Sequence, residues 1–433
     1  MERRMFIKSL AASLAALSFL PKSSRALSEK IQTLSDLVES TPEEVKLWRE
    51  IRNQFLLNPD LVHLNCGSLG ASPRIVIDSV CAYMRELEGD PVHHEWGGIS
   101  SGMDEVRDAV AQFIGADGDE LVLTRNTTEG MNSVATGLGL KKGDEVLTSN
   151  YEHGGGMVCW QYLARKFGVK VRYVRIPRQV RSKEQILELV EDKISRKTRV
   201  CSFSHVDTIT GMQMPLAEIA EITRPKGILL ACDGAQAPGM LAIDIKKLGV
   251  DTYACSSHKW MLAPKGCGWL FVRKEVQERV QPVVLAEGYR AYNASIGTRE
   301  VPLILGHGTA VDFQNAIGRE RIEARARELN RLLRRRLDEI PALERITPEQ
   351  PELSSAIVTY ALDPEKGQNG QIVERLFKDH GIRIKPAQGT YAYVPNEEDV
   401  PRESYNALRF STHIFNSEND VERVTSVLRE ILA

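Results

Sequence analysis

The chain has 433 residues, a formal net charge of -2, and hydrophobic and charged fractions of 42% and 26%. That length allows a large core and more than one domain. Near-balanced charge, with neither a basic stripe nor an acidic block, argues against a nucleic acid or an anionic membrane as partner and leaves a small molecule as the expected ligand.

At the N-terminus, "ERRMFIKSL" from Glu2 to Leu10 precedes the apolar stretch Ala11 to Leu20 and then small residues ending at Ala26. A charged region, a short apolar region and small residues in that order make an export signal. Arg3, Arg4, Phe6 and Lys8 resemble the twin-arginine address, and the apolar stretch falls well below the roughly 18 residues that a spanning helix needs. The expectation is a periplasmic or otherwise exported protein that crosses folded, with its cofactor already loaded. Seven cysteines (Cys66, Cys81, Cys159, Cys201, Cys232, Cys255 and Cys267) follow without a CxxC pair or metal-like spacing. Those in apolar runs read as buried core residues.

From about Val106 onward, helical and strand patterns alternate, which predicts an α/β layer structure with a mainly parallel sheet. Seven short apolar runs end in polar residues: "ELVLTRN", "EVLTSNYEH", "KVRYVRIP", "RVCSFSHVD", "GILLACDGA", "DTYACSSHK" and "GCGWLFV". Ligands of such sheets collect at the carboxyl ends of the strands, so the polar tails mark the site. After Phe313 comes the charged helical stretch "RERIEARARELNRLLRRRLDEIP", with Ile322, Leu329, Leu333 and Leu337 near helical spacing. It is read as a bridge to a smaller α+β domain with strands in "SSAIVTYAL", "IRIKP" and "ALRFST". The last helix begins at Ser417, with Asp420 three residues on as in a capping box.

Four strand ends carry chemistry. Lys259, just past Ser256, Ser257 and His258, is a poor choice for stability because a buried ammonium is costly; covalent bonding to an aldehyde cofactor removes that cost. A solvated turn lysine would look the same in isolation. Asp233 ends a very apolar strand, where a protonated pyridine nitrogen would be a suitable partner and a helix N-cap the plain alternative; Gln236 follows in the same turn. "NTT", from Asn126 to Thr128, stands ahead of a helical pattern, as a phosphate site or an ordinary cap would. His153 precedes three glycines that let a ligand approach, so it could stack on a planar ring or be a polar surface residue.

Taken together, "TRNTTEG", "YEHGG", "SHVDTITGMQMPLAEI", "DGAQ" and "SSHKW..PKGCGWLF" in this order resemble class V aminotransferase-fold enzymes that use pyridoxal phosphate. "VHLNCGSLGASP" and "IGTRE" (Ile296 to Glu300) resemble the isopenicillin N epimerase-like branch. The resemblance implies a fold-type I architecture: a mainly parallel seven-stranded sheet and a smaller C-terminal α+β domain. Its implied divisions are a signal at 1–26, an N-terminal segment packing with the small domain at 27–95, a large cofactor domain at 96–312, and a linker helix with the small domain at 313–433. Lys259 would be the Schiff-base lysine, Asp233 the partner of the pyridine nitrogen, Gln236 a contact to the ring oxygen and His153 the stacking residue. Thr127, Thr128, Ser256 and His258 would hold the phosphate, with Thr298 reaching across from the second subunit of a homodimer. Arg409 would grip the substrate carboxylate, for which a bidentate fork is suited.

Two departures bear on the reaction. Related cysteine desulfurases carry a catalytic cysteine shortly before the carboxylate arginine, and none lies between Lys385 and Arg409. Thr208 stands where those relatives have an asparagine near the ring. An epimerase, an aminotransferase and a carbon-sulfur lyase would share every cofactor contact, and a non-catalytic binding protein would have no need of the lysine. Inversion needs a second acid/base, for which His93, His94, Tyr391 and Tyr393 are candidates. No metal set is read from "HHEW", since adjacent histidines cannot point the same way on a regular element and no third ligand is placed.

Overall fold

The computed structural model describes residues 22–281, 298–389 and 405–433. Residues 1–21 of the export segment, with Ile296, Tyr391 and Tyr393, lie outside the described residues.

The N-terminal part holds helices α1 (Lys22–Ser40) and α2 (Glu44–Arg52), the short strand β1 (Val62–His63), and helices α3 (Arg74–Leu87), α4 (Pro91–Glu95) and α5 (Gly102–Ile114). There follow β2 (Leu121–Thr124), α6 (Thr127–Gly137), β3 (Glu145–Ser149), α7 (Gly154–Phe167), β4 (Lys170–Val174), α8 (Lys183–Lys193), β5 (Thr198–Ser204), α9 (Leu216–Thr223) and β6 (Leu229–Asp233). Helix α10 (Ile245–Leu248), β7 (Thr252–Ser256) and β8 (Gly268–Val272) complete the large layer. All seven apolar runs are strands of one sheet in the order β2-β8-β7-β6-β5-β3-β4. Its pairs are parallel except those of β8, which runs antiparallel to both β2 and β7.

Alternation along each strand explains why the sheet is covered on both faces. In β6, Leu230 and Cys232 join the core that contains Phe313 and the N-terminal helices, while Leu229 and Ala231 join a second core with Met131 and Val134 of α6 and Trp160 of α7. Successive side chains point to opposite faces, so a run apolar at every position needs a layer on each side.

Helix α11 (Val301–Ile317) is apolar nearly all round and packs against α1, α3 and α5. It shows no amphipathic period, and it spans the expected domain boundary at 312/313. The chain breaks at Gly318, whose φ of 98° suits glycine, before α12 (Arg319–Leu337). The smaller sheet is antiparallel in the order β12-β13-β10-β9, formed by β9 (Leu343–Arg345), β10 (Ile357–Leu362), β12 (Lys385–Ala387) and β13 (Ala407–Ser411). Helices α13 (Asn369–His380) and α14 (Glu418–Leu432) cover it through Ile372, Leu376, Val424 and Leu428, and the Ser417–Asp420 capping box is reciprocal. Strand β11 (Ile382–Arg383) pairs with β1, so the N-terminal segment touches the small domain by its strand while α1 and α3 lie on α11.

Candidate active site

Strands β3, β5, β6 and β7 run parallel and end on one edge at Ser149, Ser204, Asp233 and Ser256. The turn after β7 carries Lys259. It is fixed by backbone bonds from Ser257 N to Cys267 O (3.0 Å) and from Gly70 N to His258 O (3.0 Å). Gly70 is close enough that a β-carbon there would lie 1.9 Å from the Lys259 carbonyl oxygen, so the N-terminal segment can approach this turn only with glycine at that position. Leu262, with φ 60°, is the non-glycine residue in left-handed conformation among the described residues, which places backbone strain three residues from the lysine.

Lys259 itself is half-buried. Burial lowers the pKa of its amine, the Asp233 carboxylate opposes that shift, and the Arg409 guanidinium adds to it. Desolvation of this kind makes an amine a nucleophile and proton acceptor nearer neutral pH. Asp233 is buried, and its Oδ1 accepts from the Ala235 N–H at 3.0 Å. On the other side, a β-carbon at Gly156 would sit 2.5 Å from Asp233 Oδ2, so the first turn of α7 can lie against the carboxylate only as glycine.

The hydroxyls gather at the start of α6. Asn126 caps the helix by accepting from Glu129 N, and the Thr127 N–H donates to Ser256 Oγ at 2.9 Å, with the two hydroxyls also 2.9 Å apart. Thr128 is exposed beside Gly155. His258, half-buried, has its pKa lowered to about 4 by burial and by the charges of Lys259 and Lys265. The buried atoms Ser257 Oγ and His258 Nδ1 have no protein hydrogen-bond partner. His153 caps α7 through Nδ1, which accepts from Gly155 N, and presents an exposed ring. Burial of its nitrogens lowers its pKa, against the pull of Asp233 and with the push of Lys259, Lys385 and Arg409.

Arg409, in β13, is fully buried and reaches across to the large domain. Its Nη1 donates to the Thr208 carbonyl (2.9 Å) and hydroxyl (2.7 Å), and its Nη2 to Asn65 Oδ1 (3.0 Å) and Ser68 Oγ (3.1 Å). These neutral acceptors orient the fork. The Gln236 amide donates to Gly67 O and Thr208 Oγ1 and accepts from Trp260 Nε1 at 2.7 Å. Both Gln236 and Thr208, placed by the sequence at the cofactor ring, are engaged here in aligning Arg409 and the turn that bears Lys259.

Thr298 is exposed, and none of the contacts tying the other residues together reaches it. His93 and His94 lie on α4 with their rings in edge contact at 4.9 Å, and none of the cleft contacts involves them.

Two titratable groups of the cleft were not singled out by sequence. Lys385 pairs across the strands with Arg409, so their side chains share a sheet face. Burial, then Arg409 and Lys259, bring its amine down to about 8. Glu152 is buried behind Asp233, accepts from Ser149 Oγ at 2.7 Å and from Ser204 Oγ, and has its pKa raised to about 7, chiefly by burial. The sequence signal for it was its place beside His153 at a strand end. Lys385 had none, since its neighbours come from other strands.

A family model described as aminotransferase class V matches residues 70–424. Isopenicillin N epimerase of Streptomyces clavuligerus is 31% identical over 401 residues, covering 88% of this chain and 97% of that protein. A probable cysteine desulfurase of Methanothermobacter thermautotrophicus is 26% identical over 404 residues, covering 88% and 97%. Among solved structures, the apo cysteine desulfurase of Thermococcus onnurineus superposes with a TM-score of 0.78 at 24% identity, over 89% of this chain and 98% of that one.

Proposed function

The chain belongs to the class V aminotransferase family, and from that premise we propose that it is a pyridoxal phosphate enzyme acting at Cα of an amino acid or amino-acid-containing compound, with epimerisation as its reaction. The observation that carries the reading is the meeting of Lys259, Asp233 and Arg409 at one strand-end cleft, where the charges of the latter two act on the lysine amine.

The residues present fit the cofactor. Ser257 Oγ and His258 Nδ1 are buried polar atoms without protein partners beside the hydroxyls of Thr127 and Ser256, and the glycine at 156 leaves room at Asp233. Thr127, Thr128, Ser256 and His258 would hold the phosphate with the N-terminus of α6, where backbone N–H groups favour an anion. Asp233 would hold a proton at the ring nitrogen, His153 would stack on the ring, and Lys259 would carry the aldehyde carbon. Thr298, exposed, would serve the cleft of a second copy in a homodimer. When bound, pyridoxal phosphate supplies a sink for the electron pair left at Cα once its proton is removed.

The chain's own groups do the rest. Arg409 orients the substrate carboxylate, and the Lys259 amine, its pKa lowered by burial, takes the proton. Persulfide chemistry is disfavoured: Cys66 lies under Lys259, its thiol donating to the Lys259 carbonyl at 3.7 Å, and burial pushes that thiol far above the range in which a thiolate forms.

Inversion requires proton delivery from a second group, and Lys385, with its pKa brought down to about 8, can exchange a proton near neutral pH. Lys385→Gln should keep Cα exchange with one enantiomer while lowering interconversion of enantiomers by about 100-fold or more, read by chiral chromatography. Equal loss of exchange and interconversion would remove Lys385 from the delivery role.

The deciding experiment is incubation with a panel of amino acids in heavy water, scoring Cα exchange, keto-acid formation and enantiomer composition together. Exchange with inversion supports the proposal; keto acid without inversion makes the enzyme an aminotransferase; no exchange on any compound defeats the reading.

Export by the twin-arginine route belongs to the same proposal and rests on Arg3, Arg4 and the short apolar stretch. Replacing both arginines by lysine should leave the precursor in the cytoplasm, and unchanged periplasmic protein by fractionation and immunoblot would refute it.

A further inference from the structure

Behind Asp233 lies a second carboxyl that the mechanism above does not use. Glu152 is buried where three strands end: Ser149 of β3 donates to Oε1 at 2.7 Å, Ser204 of β5 donates to Oε2, and Ser204 is the strand neighbour of Asp233 in the β5/β6 register. Its position is held further by the Tyr151 N–H, which donates to Ser149 Oγ at 3.1 Å and so turns that hydroxyl toward the carboxyl. A buried carboxyl with serine donors on both oxygens costs desolvation free energy that an apolar residue would avoid, so its presence there calls for an explanation.

We propose that Glu152 is a positioning residue that acts through Asp233: its gain or loss of a proton sets the negative charge opposite the cofactor's ring nitrogen, and with it the strength of the electron sink. The inference rests on the pyridoxal phosphate reading and deepens it. Glu152 acts without touching ring or substrate; its influence is the Coulomb field it adds beside Asp233, both side chains being buried, where a unit charge is less screened than in water.

The groups facing Glu152 make this field asymmetric. From β6 come Asp233, whose charge disfavours ionisation of Glu152, and the Cys232 thiol, kept protonated chiefly by burial and then by the charges of Asp233 and Glu152. From β3 and β5 come the hydroxyls of Ser149 and Ser204 and the backbone of Ser204, which favour the ionised form. On its own segment, His153 has its pKa lowered and so contributes little positive charge at neutral pH. The balance leaves Glu152 with a pKa of about 7: neutral below that pH and ionised above it. Ionisation places a second negative charge next to Asp233 and strengthens its hold on a ring-nitrogen proton. Protonation leaves Asp233 to act alone.

The test reads the cofactor spectrum of the holoprotein against pH, with sodium borohydride trapping in parallel to establish that the cofactor is attached. Wild type should show a spectral component that titrates near neutral pH. Glu152→Gln, isosteric and fixed neutral, should lose that component while still binding cofactor. Ser204→Ala, which removes a donor favouring the ionised carboxylate, should move the component upward by about one pH unit. If Glu152→Gln fails to fold, Ser204→Ala decides alone. Cofactor attached, but with no neutral component in wild type or with one unchanged in the variants, overturns the role of Glu152 and leaves the cofactor reading intact. No cofactor trapped in wild type overturns both.

Discussion

Lys259→Ala abolishes the borohydride-reducible attachment of cofactor and lowers Cα proton exchange by about 100- to 10,000-fold, the usual worth of a positioned general base. Both losses would have one origin, because the same amine would carry the aldehyde carbon and take the proton. The fold should survive, since the turn is held by backbone bonds at Ser257 and Gly70 rather than by the lysine side chain. Mass spectrometry of the reduced, digested wild type should find the cofactor on the peptide containing Lys259; attachment at another lysine would refute the assignment. Circular dichroism of the variant separates loss of chemistry from loss of fold.

Arg409→Lys keeps one positive charge and removes the fork, with an expected cost of roughly 1.5–3 kcal/mol in substrate binding, or about 10- to 150-fold in KM. The cofactor attachment should be unchanged. Two consequences coincide in this variant, because the guanidinium that would meet the substrate also bonds Thr208, Asn65 and Ser68. A lysine cannot span all three. Thermal unfolding with and without substrate distinguishes them: lost packing lowers Tm in both conditions, whereas lost recognition removes only the stabilisation by substrate. Unchanged KM would exclude Arg409 from carboxylate binding.

Much of the architecture could be read from the residues because it is written locally. Each strand of the seven-stranded sheet is a short apolar run that ends in polar residues, and burial on both faces leaves no other placement for a run such as "LLACD". The capping box at Ser417 and Asp420 is equally local. Helix α11 escaped notice because a helix buried all round has no polar face to give it a period. Strands β1 and β9, of 2 and 3 residues, are too short to carry an alternation. In the site, Lys259 and Asp233 stand out because a charge at the end of an apolar strand is costly, whereas Arg409 is reached through the family resemblance alone. Lys385 and Glu152 do not stand out: their pKa values are shifted chiefly by burial, which depends on parts of the chain distant in sequence. Gln236 and Thr208 were recognised as site residues, yet their bonds to Trp260, Gly67 and Arg409 depend on the approach of three parts of the chain.

The bonds of Arg409 also set an order in time. Its partners stand 201 residues away at Thr208 and 344 residues away at Asn65, both earlier in the chain. Contacts of such long range form late, after the local helices and the strand pairs near them. While the chain is being synthesised from its N-terminus, the sheet that presents Asp233 and Lys259 can form before β13 exists, with Arg409 still missing from the cleft. On the roles proposed for Lys259 and Arg409, a nascent chain would be able to hold a cofactor before it could orient a substrate.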